Sequence, residues 1–132
     1  VRDTSGSCMQ DQEEFLAEIA SIMYETKPDK LILIDCDAAI YKDGIHEYQY
    51  NEGDLLVQQA KTFKGGGGTS FVPPFKYIEK ENIRPEVLVF LTDMYGDFPT
   101  EVPPYPVMWV HTSEKVDAPF GMVLPLKGDT KK

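Results

Sequence analysis

The chain is poor in the residues used by zinc enzymes, with two cysteines and two histidines in 132 residues. Cys8 and Cys36 fit no zinc-binding spacing. Neither His46 nor His111 belongs to an H-E-x-x-H motif, which argues against zinc proteolysis by this chain. Both cysteines are expected near one edge of the predicted sheet, within reach of a disulfide, but we expect reduced thiols in a cytosolic protein.

Basic residues are also scarce: 13 Lys and Arg stand against 22 Asp and Glu, for a net charge of -9. This charge opposes binding to nucleic acids and anionic membranes, because both present phosphate groups. No apolar run approaches the length of a membrane span, and the first residues lack the pattern of a signal peptide. We therefore expect a cytoplasmic protein that is monomeric by itself.

The composition is that of an ordinary globular protein, with 42% hydrophobic and 27% charged residues. The length is suited to one domain, and the chain alternates between helical and strand patterns. This alternation predicts an α/β fold of three layers, Rossmann-like, with a mostly parallel central sheet. We predict helices over about residues 8–26, 54–63 and 75–80, and strands over 31–34, 87–91, 107–110 and 122–126.

An antiparallel strand pair is expected at the edge of the sheet. Residues 39–41 and 45–50 flank Asp43-Gly44, a pair typical of a tight hairpin turn. A loop rich in proline, residues 95–106, replaces the helix that usually connects two parallel strands.

Three separated segments carry oxygen ligands suited to a hard cation. The first is D-x-S-x-S from Asp3 through Ser5 to Ser7, the second is four glycines followed by Thr69, and the third is an apolar strand that ends at Asp93. Hydroxyl and carboxylate oxygens favour Mg²⁺, Mn²⁺ or Ca²⁺. Each segment alone is more often an N-cap, a flexible turn or an ordinary strand end, but together they predict a metal site.

The three segments, in this order, resemble the metal-ion-dependent adhesion site of von Willebrand factor A (VWA) domains. The resemblance implies that Asp3, Ser5, Ser7, Thr69 and Asp93 hold a divalent cation, Asp93 often through a water. It implies a binding module with no catalytic residues, in which an acidic side chain of a partner protein completes the coordination.

A narrower resemblance rests on residues 65–75, 91–99 and 106–110. They look like the VWA-like domain at the C-terminus of predicted bacterial metallopeptidases. Proteins of this kind are often linked with MoxR-type AAA+ ATPases, so the resemblance implies such an ATPase complex as the partner.

The strand that precedes D-x-S-x-S in VWA domains is nearly absent from this sequence. Only Val1 and Arg2 come before Asp3, where four or five apolar residues are expected. We therefore expect residues 1–132 to be a single VWA-like domain that lacks most of its first central strand, as part of a longer protein.

An alternative hypothesis is a Mg²⁺-dependent phosphatase of the haloacid dehalogenase type. The apolar strand at 31–34 ends in D-x-D, so Asp35 would attack phosphorus and Asp37 would act as general acid and base. Ala39 stands where that family prefers Thr or Val, and the hypothesis leaves the D-x-S-x-S segment unexplained.

Overall fold

A sheet of six strands forms the centre of a computed structural model that describes residues 1–114 and 117–126. Its strands lie in the order β3-β2-β1-β4-β5-β6. β3, at the edge, pairs antiparallel to β2, and the remaining neighbours are parallel, which confirms the predicted α/β sheet. The strands are β1 (Arg2–Asp3), β2 (Leu31–Cys36), β3 (Ile40–Tyr48), β4 (Leu88–Thr92), β5 (Val107–His111) and β6 (Met122–Pro125).

The helices differ from the predicted ones at their ends, and α2 stops at Ala60, three residues before the predicted end. The first predicted helix is divided into a 3-10 helix and α1, and α3 begins three residues earlier than expected. The prolines of α3 lie in its first turn, where a missing N–H removes no hydrogen bond of the helix. The helices are the 3-10 helix (Gly6–Asp11), α1 (Gln12–Thr26), α2 (Gly53–Ala60) and α3 (Val72–Lys80).

Alternate residues of the central strands point to two separate cores, one on each face of the sheet. Leu33 of β2 and Leu91 of β4 pack with α1 and α2. Their neighbours Ile34 and Phe90 pack with α3 and with Trp109, the centre of an aromatic cluster. Both faces are covered, which explains why these strands read as continuous apolar runs.

The predicted turn at Asp43-Gly44 is wrong, although the antiparallel edge is confirmed. The chain turns earlier, at residues 37–39, where the N–H of Ala39 lies 3.2 Å from Asp37 Oδ1. The register then shifts from Cys36↔Ile40 to Ile34↔Ile45, so Asp43 and Gly44 lie in a bulge inside β3. The hydrogen bond from the Ala39 N–H to the Asp37 carboxylate favours a turn at residues 37–39 over one at Asp43-Gly44.

The first halves of β2 and β4 face one another across an apolar cleft of about 530 Å³. β1 pairs with β4 through Arg2 and with β2 through Arg2 and Asp3. The expectation that the chain lacks most of its first central strand stays a prediction. Within the described residues, no helix combines the length and the apolar character needed to cross a bilayer.

Candidate metal centre

Asp3 ends β1 in the middle of the sheet and is 1% exposed. Its Oδ1 accepts a hydrogen bond from the N–H of Ser5 at 2.9 Å, and its Oδ2 accepts one from the Thr92 hydroxyl at 2.5 Å. Burial raises the pKa of Asp3 above its ordinary value, while the hydrogen bonds from Ser5 and Thr92 act in the opposite direction. The carboxylate is thus held in one orientation and lacks the solvation that water would give its charge.

The two predicted serine ligands lie side by side where the chain leaves β1. Ser5 Oγ and Ser7 Oγ are 3.4 Å apart, Ser5 is buried and Ser7 is exposed. Ser5 precedes the 3-10 helix, but its hydroxyl makes no capping hydrogen bond to that helix. The ordinary N-cap explanation of these serines therefore fails for Ser5.

The glycine loop packs directly on the D-x-S-x-S segment. Gly66 N–H donates to the Thr4 carbonyl at 2.7 Å, and Gly6 N–H donates to the Gly67 carbonyl at 3.0 Å. A Cβ on Gly65 would lie 2.3 Å from the same Thr4 carbonyl oxygen, so the approach requires glycine. Three of the four glycines, Gly65, Gly66 and Gly67, thus contact this segment directly.

Thr69 lies between the glycine loop and the segment that follows β4. It is half-buried, and a Cβ on Gly96 would lie 2.7 Å from its methyl group. The predicted ligands Asp3, Ser5 and Ser7 are thus bordered on one side by the loop that carries Thr69.

Asp93 follows β4 and is 8% exposed. Its Oδ1 accepts a hydrogen bond from the N–H of Tyr95 at 3.1 Å, and its carbonyl accepts one from the Ser113 hydroxyl at 2.6 Å. Met94 has a φ of 73°, in the left-handed region, so the chain turns sharply after the carboxylate. Such backbone strain in a residue other than glycine is often found at functional sites.

The structure brings Asp3 and Asp93 together from distant parts of the chain, and adds Cys8. Each of the three offers a ligand atom, and these atoms lie within 4.8 Å of one another. All three residues are buried. Cys8 is a free thiol, as is Cys36, and burial followed by the nearby Asp3 and Asp93 carboxylates raises the pKa of the Cys8 thiol.

Sequence reasoning missed three residues of this centre. Cys8 lies three residues after Ser5. This spacing brings two side chains to one face of a helix, so it could have indicated that Cys8 lies beside the serine ligand. Thr92 belongs to the L-T-D segment, but it was assigned no role from the sequence. Gln12, whose side-chain N–H donates to the carbonyls of Asp3 (2.8 Å) and Cys8 (3.1 Å), gave no signal.

The donor set fits a divalent cation. Two buried carboxylates at this distance repel one another unless a cation or a proton lies between them. In residues 1–114 and 117–126, no ion pair involves Asp3 or Asp93. Thr4 follows Asp3, and Gln12 bonds to the Asp3 carbonyl. Among the described residues, Thr4 Oγ1 and Gln12 Oε1 are buried without a hydrogen-bond partner.

The contacts of Asp35 and Asp37 argue against the phosphatase hypothesis. Both oxygens of Asp35 accept hydrogen bonds from Arg2 at 2.8 Å, and the residue is 3% exposed. A nucleophile must reach its substrate, and a carboxylate that is buried against a guanidinium is poorly placed to do so. Asp37 accepts hydrogen bonds from the Tyr41 hydroxyl at 2.9 Å and from Gly67 N–H at 3.2 Å, so it joins the edge strand to the glycine loop.

We expect Thr92→Val to lower the free energy of unfolding by about 1–3 kcal/mol, because it leaves a buried carboxylate oxygen of Asp3 without its donor and removes the acceptor of the Met94 N–H. Urea denaturation measures the loss. Thr112→Val is the matched control, since the Thr112 hydroxyl donates to Asp11 at 3.1 Å in a partly exposed position. An equal loss in both variants would contradict a special role for Thr92.

A mostly parallel sheet between helical layers, with hydroxyl and carboxylate groups at the carboxyl ends of its two central strands, is consistent with a VWA-like fold. The family model described as a VWA-like domain (DUF2201) matches residues 1–127, and the chain belongs to this family. No curated protein and no solved structure matched the chain.

Proposed function

We propose that this domain is a protein-binding module that depends on a divalent metal, and that it has no catalytic activity of its own. Asp3, Ser5, Ser7, Thr69 and Asp93 hold the ion, which is Mg²⁺ or else Mn²⁺ or Ca²⁺. The observation that carries the proposal is the meeting of Asp3 and Asp93, both buried, within a family of VWA-like domains.

The five proposed ligands leave one position of an octahedral divalent ion open to a further oxygen ligand. Ser7 is exposed, so the centre opens to solvent on that side. A carboxylate of a partner protein that enters there completes the coordination, as an oxygen ligand that hard cations prefer. The net charge of -9 repels acidic partners at a distance, so recognition of such a side chain depends on the metal.

The rim of the proposed partner-binding surface consists of Tyr95, Asp97 and the loop rich in proline. Tyr95 is 55% exposed and Val102 is 71% exposed, which gives the rim apolar contact area beside the charged centre. A tyrosine beside a charged centre is typical of residues that anchor protein interfaces. The partner we propose is a MoxR-type AAA+ ATPase complex.

Metal binding is tested by thermal unfolding of the wild type and Asp3→Ala in EDTA and in Mg²⁺. We expect Mg²⁺ at about 100 times its Kd to stabilise the wild type by about 2.7 kcal/mol and to leave Asp3→Ala unchanged. Asp29→Ala, which removes an exposed carboxylate just before β2, should respond like the wild type. Equal shifts in the wild type and Asp3→Ala would show that the ligands are misassigned.

Partner binding is tested by titrating a purified MoxR-type ATPase into the domain, in Mg²⁺ and in EDTA, by calorimetry. Binding that requires Mg²⁺, is lost in Asp93→Ala and is lost when one acidic residue of the ATPase is changed to its amide supports the proposal. Binding of equal strength in EDTA would contradict the role of the metal.

A further inference from the structure

We propose that Cys8 gives the metal centre a sulfur ligand, so that Asp3, Cys8 and Asp93 together bind a thiophilic divalent ion of the Zn²⁺ or Co²⁺ type. This inference deepens the proposed function, on which it rests, by naming a second class of ion for the same centre. The five ligands predicted from the sequence are all oxygen donors, so Cys8 would add a donor of a different class.

The geometry suits such an ion. The ligand atoms of the three residues lie within 4.8 Å of one another. Atoms bound to one tetrahedral zinc ion lie roughly 3.3–3.7 Å apart, since the bonds are about 2.0–2.2 Å to oxygen and about 2.3 Å to sulfur. Movements of about 1–1.5 Å or less by these side chains would therefore form the three bonds.

Cys8 is held in place by its surroundings. It is 0% exposed and lies in the 3-10 helix, where its N–H donates to the Ser5 carbonyl at 3.0 Å. Its own carbonyl accepts from Gln12, which also bonds the carbonyl of Asp3. The thiol is thus positioned beside the carboxylates by backbone contacts that a bound metal would not need to replace.

The chemistry separates the two classes of ion. Mg²⁺ and Ca²⁺ take oxygen ligands, whereas Zn²⁺ and Co²⁺ also bind thiolate. As the sulfur–metal bond forms, the thiol proton passes to solvent, and no electron is transferred. Two oxygens and one sulfur leave the fourth tetrahedral position open, so the centre keeps a place for a partner's carboxylate.

Cys36, the other buried free cysteine, is a matched control for Cys8. It is buried, and in β2 it is the register partner of Asp3. Its thiol lies 3.4 Å from the Asp37 carbonyl and 3.5 Å from the Ser70 carbonyl, and its single S–H has these two oxygens as acceptors. We therefore expect Cys36 to take no part in metal binding.

The first test adds Co²⁺ to the wild type, Cys8→Ser, Cys8→Ala and Cys36→Ser and records the near-ultraviolet spectrum. We expect charge-transfer absorption from thiolate to Co²⁺ in the wild type and in Cys36→Ser, and none in either Cys8 variant. Bound Co²⁺ without this absorption in the wild type would overturn the proposal, as would absorption that persists in Cys8→Ser.

The second test compares the Zn²⁺ and Mg²⁺ affinities of the same proteins. Asp3→Ala is added as a variant that should lose binding of both ions. We expect Cys8→Ser to weaken Zn²⁺ binding at least about tenfold. Urea denaturation without metal, with Cys36→Ser as the comparison, shows whether the variant folds. Unchanged Zn²⁺ affinity in Cys8→Ser would overturn this inference alone. A wild type that binds Zn²⁺ through Cys8 but does not respond to Mg²⁺, Mn²⁺ or Ca²⁺ would contradict the proposed oxygen site and support the sulfur ligand.

Discussion

Asp35→Asn is expected to lower the free energy of unfolding by about 3–5 kcal/mol, because it leaves the Arg2 guanidinium buried without its counter-charge. Arg2 is 1% exposed, and two of its nitrogens pair with the two oxygens of Asp35 at 2.8 Å. Its remaining terminal nitrogen donates to the Ala60 carbonyl at 2.7 Å, and the guanidinium lies 4.8 Å from the centre of the Phe63 ring. Asparagine keeps the shape of the side chain but places an amide N–H against an N–H of Arg2.

Urea denaturation measures this loss, and an exposed ion pair provides the control. Lys30 and Glu47 lie 3.4 Å apart with both side chains more than half exposed, so Glu47→Gln should cost about 1 kcal/mol or less. Arg2→Met combined with Asp35→Leu should be far more stable than Asp35→Asn, because both charges of the buried pair are removed together. A small effect of Asp35→Asn, similar to that of Glu47→Gln, would contradict this account of the ion pair.

Gly65→Ala is expected to displace the D-x-S-x-S segment and to abolish binding of Mg²⁺. The added Cβ would lie 2.3 Å from the Thr4 carbonyl oxygen and 2.6 Å from the Thr4 Cβ, so one of the two backbones must move. Thr4 lies between Asp3 and Ser5, so this movement separates the proposed ligands. Overpacking of this kind also lowers the free energy of unfolding by about 1–3 kcal/mol.

Gly68→Ala is the matched control within the same loop. Its added Cβ would have one ordinary contact, with the Ala38 side chain at 3.9 Å. Neither Gly65 nor Gly68 has a positive φ, so steric contact alone distinguishes the two variants. Mg²⁺ titration followed by thermal unfolding should show a normal response in Gly68→Ala and none in Gly65→Ala. The same response in both variants would mean that the glycine loop does not position the metal ligands.

The parts of the fold that were predictable are those that local patterns determine. The apolar runs that begin near Leu31, Leu88 and Val107 predicted parallel strands, because strands buried on both faces carry apolar residues continuously. The Asp43-Gly44 turn was wrong because hairpin register depends on which contacts form across the edge. The carboxylate of Asp37 accepts from the N–H two residues on and stabilises the earlier turn, a local signal that the Asp-Gly prediction overlooked.

The candidate site was predictable to a similar degree. The motifs indicated Asp3, Ser5, Ser7, Thr69 and Asp93 as ligands, and this set stays a prediction. The structure places Asp3 and Asp93 together because both end adjacent strands. That part of the site follows from the parallel sheet alone, since carboxyl ends of parallel strands meet at one edge.

The sequence by itself determined the α/β class, the order of helices and strands, and the edge at which polar ligands collect, since these depend on residues close together in the chain. Only the tertiary structure decided that Asp35 pairs with Arg2, that Thr92 orients Asp3, and that Cys8 joins the carboxylates. Arg2 and Asp35 are separated by 33 positions, and Asp3 and Thr92 by 89. Such pairs depend on which strands become neighbours and on which face each side chain occupies, and the packing of the whole chain settles both.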